Sequence, residues 1–164
     1  MTPSPEIIQA LLSGDFKVTR RPVPVAGDLR INSGIAIVVM ILGRSRQKKA
    51  SYQKLHFLAH AVRTPEMRKH ALALLQADRS RLLPLIRVEP WVNRAVNLAS
   101  ALELTGVHRG SVVELLPKGV ELFEALTREG DTMRDEWEFI SRAAVLASEK
   151  KVTSIMNMDY LIWA

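Results

Sequence analysis

The sequence predicts a mainly α fold with a small β-hairpin wing, a winged helix-turn-helix extended by additional N- and C-terminal helices. Three observations predict it. A helix opened by Glu89-Pro90 is followed, after Gly106, by two short apolar segments around Gly110-Ser111, and then by a second proline-opened helix at Leu116-Pro117-Lys118-Gly119. An early run, Ile35 to Leu42, is apolar nearly all round, which is the mark of a helix buried on every side. Thr64-Pro65-Glu66 gives an N-cap, a first-turn proline and a first-turn carboxylate in the order that opens a helix directly after another.

Residues 1–31 read as an extension. A short helix is expected at Pro5 to Leu12, and then Pro22 and Pro24 hold their preceding residues out of helix. The winged domain is expected over residues 32–130. Asn32 or Ser33 would cap the buried helix, which stops near Gly43. Leu55, Leu58, Ala59 and Val62 place a second helix from Ser51, and Met67, Ala71, Leu74 and Leu75 a third. Leu82 to Val88 reads as a small strand. The helix after Pro90 is expected to bury Val92, Ala95, Val96, Ala99 and Leu102, with Asn93, Asn97 and Ser100 opposite and Arg94 beside them. Trp91 and Leu104 suggest that part of it packs on something else. Residues 131–164 form a helical extension, a single amphipathic helix from Asp131 to about Lys150 and an apolar tail.

Composition narrows the function. The chain has 164 residues, 48% of them hydrophobic, enough for one core and too few for two large domains. It has no cysteine, which excludes disulfides, thiolate chemistry and the common zinc sites, and a reducing cytoplasm is the expected compartment. The first residues carry Glu6 and Asp15 and no basic stretch, unlike a signal peptide. No apolar run approaches the roughly 20 residues of a membrane span.

Charge is divided along the chain: residues 1–110 hold 17 Lys and Arg against 7 Asp and Glu, whereas residues 111–164 hold 6 against 10. A basic front of this kind suits an anionic partner. The eight glycines are scattered and none builds a phosphate loop, and no Gly-x-Ser-x-Gly elbow is present. His56 and His60 stand four apart, but Phe57 occupies the place where a metalloprotease helix carries glutamate, so ordinary helix histidines are expected. No catalytic residue, cofactor or metal is expected, and the chain reads as a binding protein.

The basic run Arg44, Arg46, Lys48, Lys49 with Lys54 contains no acidic residue and could neutralise phosphates or form a solvated corner. Asn93, Arg94, Asn97 and Ser100 lie on the helix that a DNA-reading winged helix would insert in the major groove, with Arg109 and Ser111 at the wing tip. The same surface equally suits a protein partner. Tyr160, Leu161, Ile162 and Trp163 would either fold back on the core or insert into a partner.

In the segments SGIAIVVMILGR, YQKLHFLAHAVRTPE, VEPWVNRAVNLASALELTGVHRGSVVELLPKGVELFEAL and ASEKKVTSIM, the chain resembles the small accessory, or middle, components of prokaryotic ABC-three-component and Lamassu-type defence systems. That resemblance is one of layout and hydrophobic spacing. It implies a non-enzymatic subunit that bridges an SMC-like ATPase and an effector, often a nuclease, in the sensing of foreign DNA. Double-stranded DNA and a further copy of the chain are additional candidate partners. Segments like LLPKGVELFEAL are shared by winged-helix transcription regulators, so a stand-alone DNA-binding regulator is the alternative.

Overall fold

The apolar run of residues 35–42 becomes the centre of α1 (Gly27–Arg44), where Val38, Val39, Ile41 and Leu42 are fully sequestered. A computed structural model describes residues 27–76, 89–108, 111–129 and 133–158. Seven α-helices and three short strands are found among them. α1 starts earlier than the expected cap, so Asn32 and Ser33 lie inside the helix. Pro24 is the last proline before it, and nothing after that point forbids helical backbone.

At the end of α1, Ser45 turns the chain with its hydroxyl on the Ile41 carbonyl at 2.8 Å. A 3₁₀ turn (Arg46–Lys48) follows, with Gln47 and Lys48 both at positive φ, 56° and 57°. The chain then enters β1 (Lys49–Ser51), a strand the sequence reading did not contain. Ser51 caps α2 (Tyr52–Ala61), its side chain accepting from the Lys54 N–H at 3.1 Å. Residues 62–64 turn sharply into α3 (Pro65–Gln76), whose Met67 N–H reaches Thr64 Oγ1 at 3.3 Å, as the Thr-Pro-Glu order predicts.

The expected strand at Leu82 to Val88 lies outside the described residues, as do the expected helix at Pro5 to Leu12, Arg109 and the tail Tyr160 to Trp163. α4 (Pro90–Ala101) begins at the expected proline. It closes with Glu103 in the left-handed region at φ 62°, the Leu104 N–H on the Ala99 carbonyl at 2.8 Å and the Glu103 N–H on that of Ser100 at 3.0 Å. This is a Schellman ending with glutamate where glycine is preferred. Glu103→Gly is expected to raise unfolding free energy by about 0.5–1 kcal/mol in urea denaturation, because a left-handed residue without a Cβ carries no steric penalty.

β2 (Thr105–His108) and β3 (Val112–Leu115) form the expected hairpin, with Thr105 opposite Leu115 and His108 opposite Val112. β1 adds to the other side of β3, Ala50 opposite Val113, so the sheet runs β1-β3-β2 and is antiparallel throughout. α5 (Pro117–Glu129) follows directly. Where one helix was expected from Asp131 to Lys150, there are two, α6 (Arg134–Leu146) and α7 (Glu149–Met158). Ala147 leaves helical geometry at ψ 74°, and Ser148 restarts it with its hydroxyl accepting from the Lys151 N–H at 3.3 Å.

The fold is therefore mainly helical with a small three-stranded antiparallel sheet. α1 is wrapped by α4, α5 and α6 and touches β3. Its glycines set how closely the neighbours approach: a Cβ on Gly34 would meet the Trp91 ring at 3.1 Å, and one on Gly43 would meet the Phe123 ring at 2.2 Å. Phe139, Ile140, Ala143 and Ala144 of α6, with Val152 and Ile155 of α7, share the core that α1 centres. α1 also runs across the boundary expected at residue 31.

Candidate docking surfaces

α4 presents two faces. Val92, Ala95, Val96 and Ala99 go to the core, and Trp91 lies on Gly34 of α1. Asn93, Arg94 and Asn97 are exposed, as the opposite stripe requires. Leu102 is not buried as expected. It is 51% exposed, and Leu98, one turn earlier, is 40% exposed. The Schellman ending at residues 102–104 explains Leu102: the chain reverses there, and Leu104 takes the buried place. Val107 of β2 is also exposed.

Not all of the polar stripe is available to a ligand. Ser100 Oγ shares a hydrogen bond with Thr105 Oγ1 at 3.0 Å, which ties α4 to β2. Asn93 lies close enough to His56 of α2 to act on its ring. Arg94 and Asn97 remain, next to Leu98.

Beneath this face, His56 and His60 both turn to residue 89, where α4 begins. His56 Nδ1 accepts the Glu89 N–H at 3.2 Å, so its ring proton sits on Nε2. The Glu89 carboxylate receives His60 Nδ1 at 2.8 Å and Arg63 at 3.0 Å. Among the described residues, no group of three or more His, Cys, Asp or Glu side chains is placed to hold a metal ion.

Burial pushes the His56 ring below its ordinary 6.5, against the pull of Asn93 and Glu89. Burial alone would raise the Glu89 carboxyl, but His60 and Arg63 outweigh it and hold the group below its ordinary 4.5. Both groups bind protons less readily folded than unfolded, so stability falls as pH falls. The loss is expected to begin below about 6.5, where the unfolded His56 takes up its proton, and to continue below 4.5 through Glu89. Urea denaturation between pH 8 and pH 4 checks this. His56→Asn, whose amide oxygen can take the Glu89 N–H, should flatten the first phase and leave the second.

The second surface is the basic corner after α1, and long-range partners dismantle most of it. Arg44 sits over the Trp137 ring, 5.9 Å from its centroid, and donates to the Ser141 carbonyl at 3.4 Å. Lys49 pairs with Glu114 of β3 at 2.6 Å, and Glu114 also meets His108 across the sheet. Those two partners draw the Glu114 carboxyl below its ordinary range. Lys54, expected with the run either to meet phosphate or to lie in a solvated corner, is only 4% exposed and donates to the Ala144 carbonyl at 3.0 Å. Its position on the first turn of α2 turns it inward, towards the end of α6. Arg46 and Lys48 stay exposed, with no ion pair among the described residues.

The corner and the N-terminal end of α4 are not brought together. Trp91 packs at Gly34, and the corner lies past Gly43, about 13 Å further along α1 at ~1.5 Å per residue. The exposed leucines are the feature sequence reasoning missed. Only Leu98 carried a signal, since four other apolar positions of α4 already fill a core face. Leu102 stands three residues after Ala99 and seven after Ala95, so helical spacing puts it on that face and only the Schellman ending takes it off.

No helix among the described residues is long and apolar enough to cross a membrane. Comparison with protein families, with curated proteins and with solved structures gives no match to the chain.

Proposed function

We propose that this chain is a non-enzymatic accessory subunit of winged-helix type, and that it works by docking a protein partner on the exposed face of α4. The observation that carries this reading is the pair Leu98 and Leu102, solvent-facing beside Arg94 and Asn97 on a helix otherwise fixed by its core side. Apolar anchors bordered by polar groups are the usual make-up of a protein interface centre. Winged-helix identity is supported by β1, which lies between the first two helices and joins the hairpin in the order β1-β3-β2.

The defence-system resemblance names the partner class: an SMC-like ATPase and an effector, within an antiphage complex that senses foreign DNA. Co-expression with the ATPase encoded nearest to this chain, followed by affinity capture and gel filtration, tests it. A stable complex is the expected result. Elution of the chain alone overturns the assignment.

A second reading, a stand-alone DNA-binding regulator, draws on Arg46, Lys48 and Arg94, which have no ion pair among the described residues. Three phosphate contacts would give a slope of about −3 in log affinity against log salt, at ~0.9 per neutralised phosphate. Fluorescence anisotropy with duplex DNA from low to moderate salt measures it. A regulator must also prefer one sequence, so equal affinity for unrelated duplexes excludes this reading.

A further inference from the structure

A groove of about 960 Å³ opens between the corner after α1, the start of α2 and the break between α6 and α7. Arg44, Arg46, Lys49 and Lys54 line it with one lining carboxylate, Glu149, and Lys49 is compensated by Glu114 from outside the lining, which leaves Arg44, Arg46 and Lys54 as the cations that count. The Glu149 carboxylate is already engaged: its oxygens accept the Ser51 N–H at 3.2 Å and the Ser51 hydroxyl at 2.6 Å. Lys54 uses one of its three donors on the Ala144 carbonyl and keeps two. Arg44 is oriented in advance by Trp137 and Ser141, so little ordering is left for binding to impose. Val112 and Ala147 give the groove an apolar lining.

Positive charge gathered in a concave, low-dielectric site concentrates potential and draws anions. The geometry points to this groove as a binding site for a phosphate-bearing ligand, gripped by the Arg44 and Arg46 guanidiniums at the rim and by Lys54 from within. Planar guanidiniums match phosphate oxygens two at a time. Burial holds the Lys54 ammonium below its ordinary 10.5, partly offset by Glu149. An anion beside it favours the charged form, so binding should be accompanied by proton uptake in the alkaline range where the ammonium titrates.

This site is separate from the α4 face and stands or falls independently of it. The test is calorimetric titration of the full chain at low salt, with pyrophosphate and with a 5′-phosphorylated single-stranded oligonucleotide as probes. At least one probe is expected to bind, and Arg46→Glu is expected to weaken it about tenfold or more. Lys54→Met should do likewise, with its melting curve recorded in parallel. Arg46 is exposed, so its variant stays readable even if Lys54→Met unfolds. Lys69→Glu, an equal charge change on exposed α3 outside the groove, should leave affinity unchanged. Pyrophosphate binding supports a free phosphate compound as ligand, and binding of the oligonucleotide alone supports a nucleic-acid strand. Failure of both probes at about 1 mM, or equal affinity in Arg46→Glu and the unaltered chain, overturns the proposal.

Discussion

Alanine at position 119 is expected to lower the unfolding free energy by about 3 kcal/mol and the melting midpoint by roughly 10 °C. Gly119 begins α5 against the stretch that joins α4 to β2. A Cβ there would stand 2.1 Å from the Leu104 carbonyl oxygen and 3.0 Å from the Leu115 side chain. The Leu104 oxygen cannot move aside freely, because it accepts the Leu116 N–H at 3.0 Å and thereby fixes the entry to α5. The strain must be taken up by backbone on both sides of the hairpin. Gly106→Ala is the matched control: its added Cβ would meet Leu116 at 3.5 Å, an ordinary contact, and a change within about 1 kcal/mol is expected. Thermal denaturation of the two variants side by side decides the point. Similar midpoints would show that the packing of α5 on the hairpin is looser than these distances state.

Aspartate at both Leu98 and Leu102 is expected to weaken partner binding at least about 100-fold, roughly 2.7 kcal/mol, while leaving the fold intact. The two halves of that expectation come from one fact, the exposure of both side chains. Surface substitutions that touch no buried partner usually change stability by less than about 0.5 kcal/mol. A carboxylate buried in an apolar contact is costly, and of the two introduced here only the one at position 98 would stand one helical turn from a cation, Arg94. Affinity capture with the ATPase partner and a melting curve of the free chain measure both. Undiminished capture of the partner would remove α4 from the interface, and a collapsed melting curve would show that the leucines serve the core.

How far the sequence reached depended on how local each signal was. The starts of α3, α4 and α5 were legible because proline and its neighbours act within one turn. The buried α1 was legible from its unbroken apolar run, and the hairpin from two glycines flanking short apolar segments. β1 was not, since Lys49, Ala50 and Ser51 become a strand only by pairing with residues 112–114. The split between α6 and α7 was hidden because both halves keep a helical apolar spacing. Lys54 looked like part of a basic run, and nothing nearby in the chain announced the Ala144 carbonyl that draws it in. The same holds for Arg44 with Trp137 and Lys49 with Glu114: each cation was read correctly as a cation and incorrectly as unengaged. Asn93 was placed on the right face, but its approach to His56 brings together residues on different helices. Thus the elements and the α4 stripe could be read from short-range pattern, whereas the usable charge of the basic corner could not.

The attachment of β1 has a consequence for the order in which the molecule assembles. The strand can gain its hydrogen bonds only after the hairpin carrying β3 exists, and the intervening chain must first be drawn into a long loop at an entropic cost that grows with its length. Ser51 then waits again for Glu149, across an even greater span. Segments joined by such distant contacts form late on the folding route and are slow to nucleate. In a chain emerging from the ribosome, the corner between α1 and α2 would stay unfinished until Glu149 has been made and has left the exit tunnel.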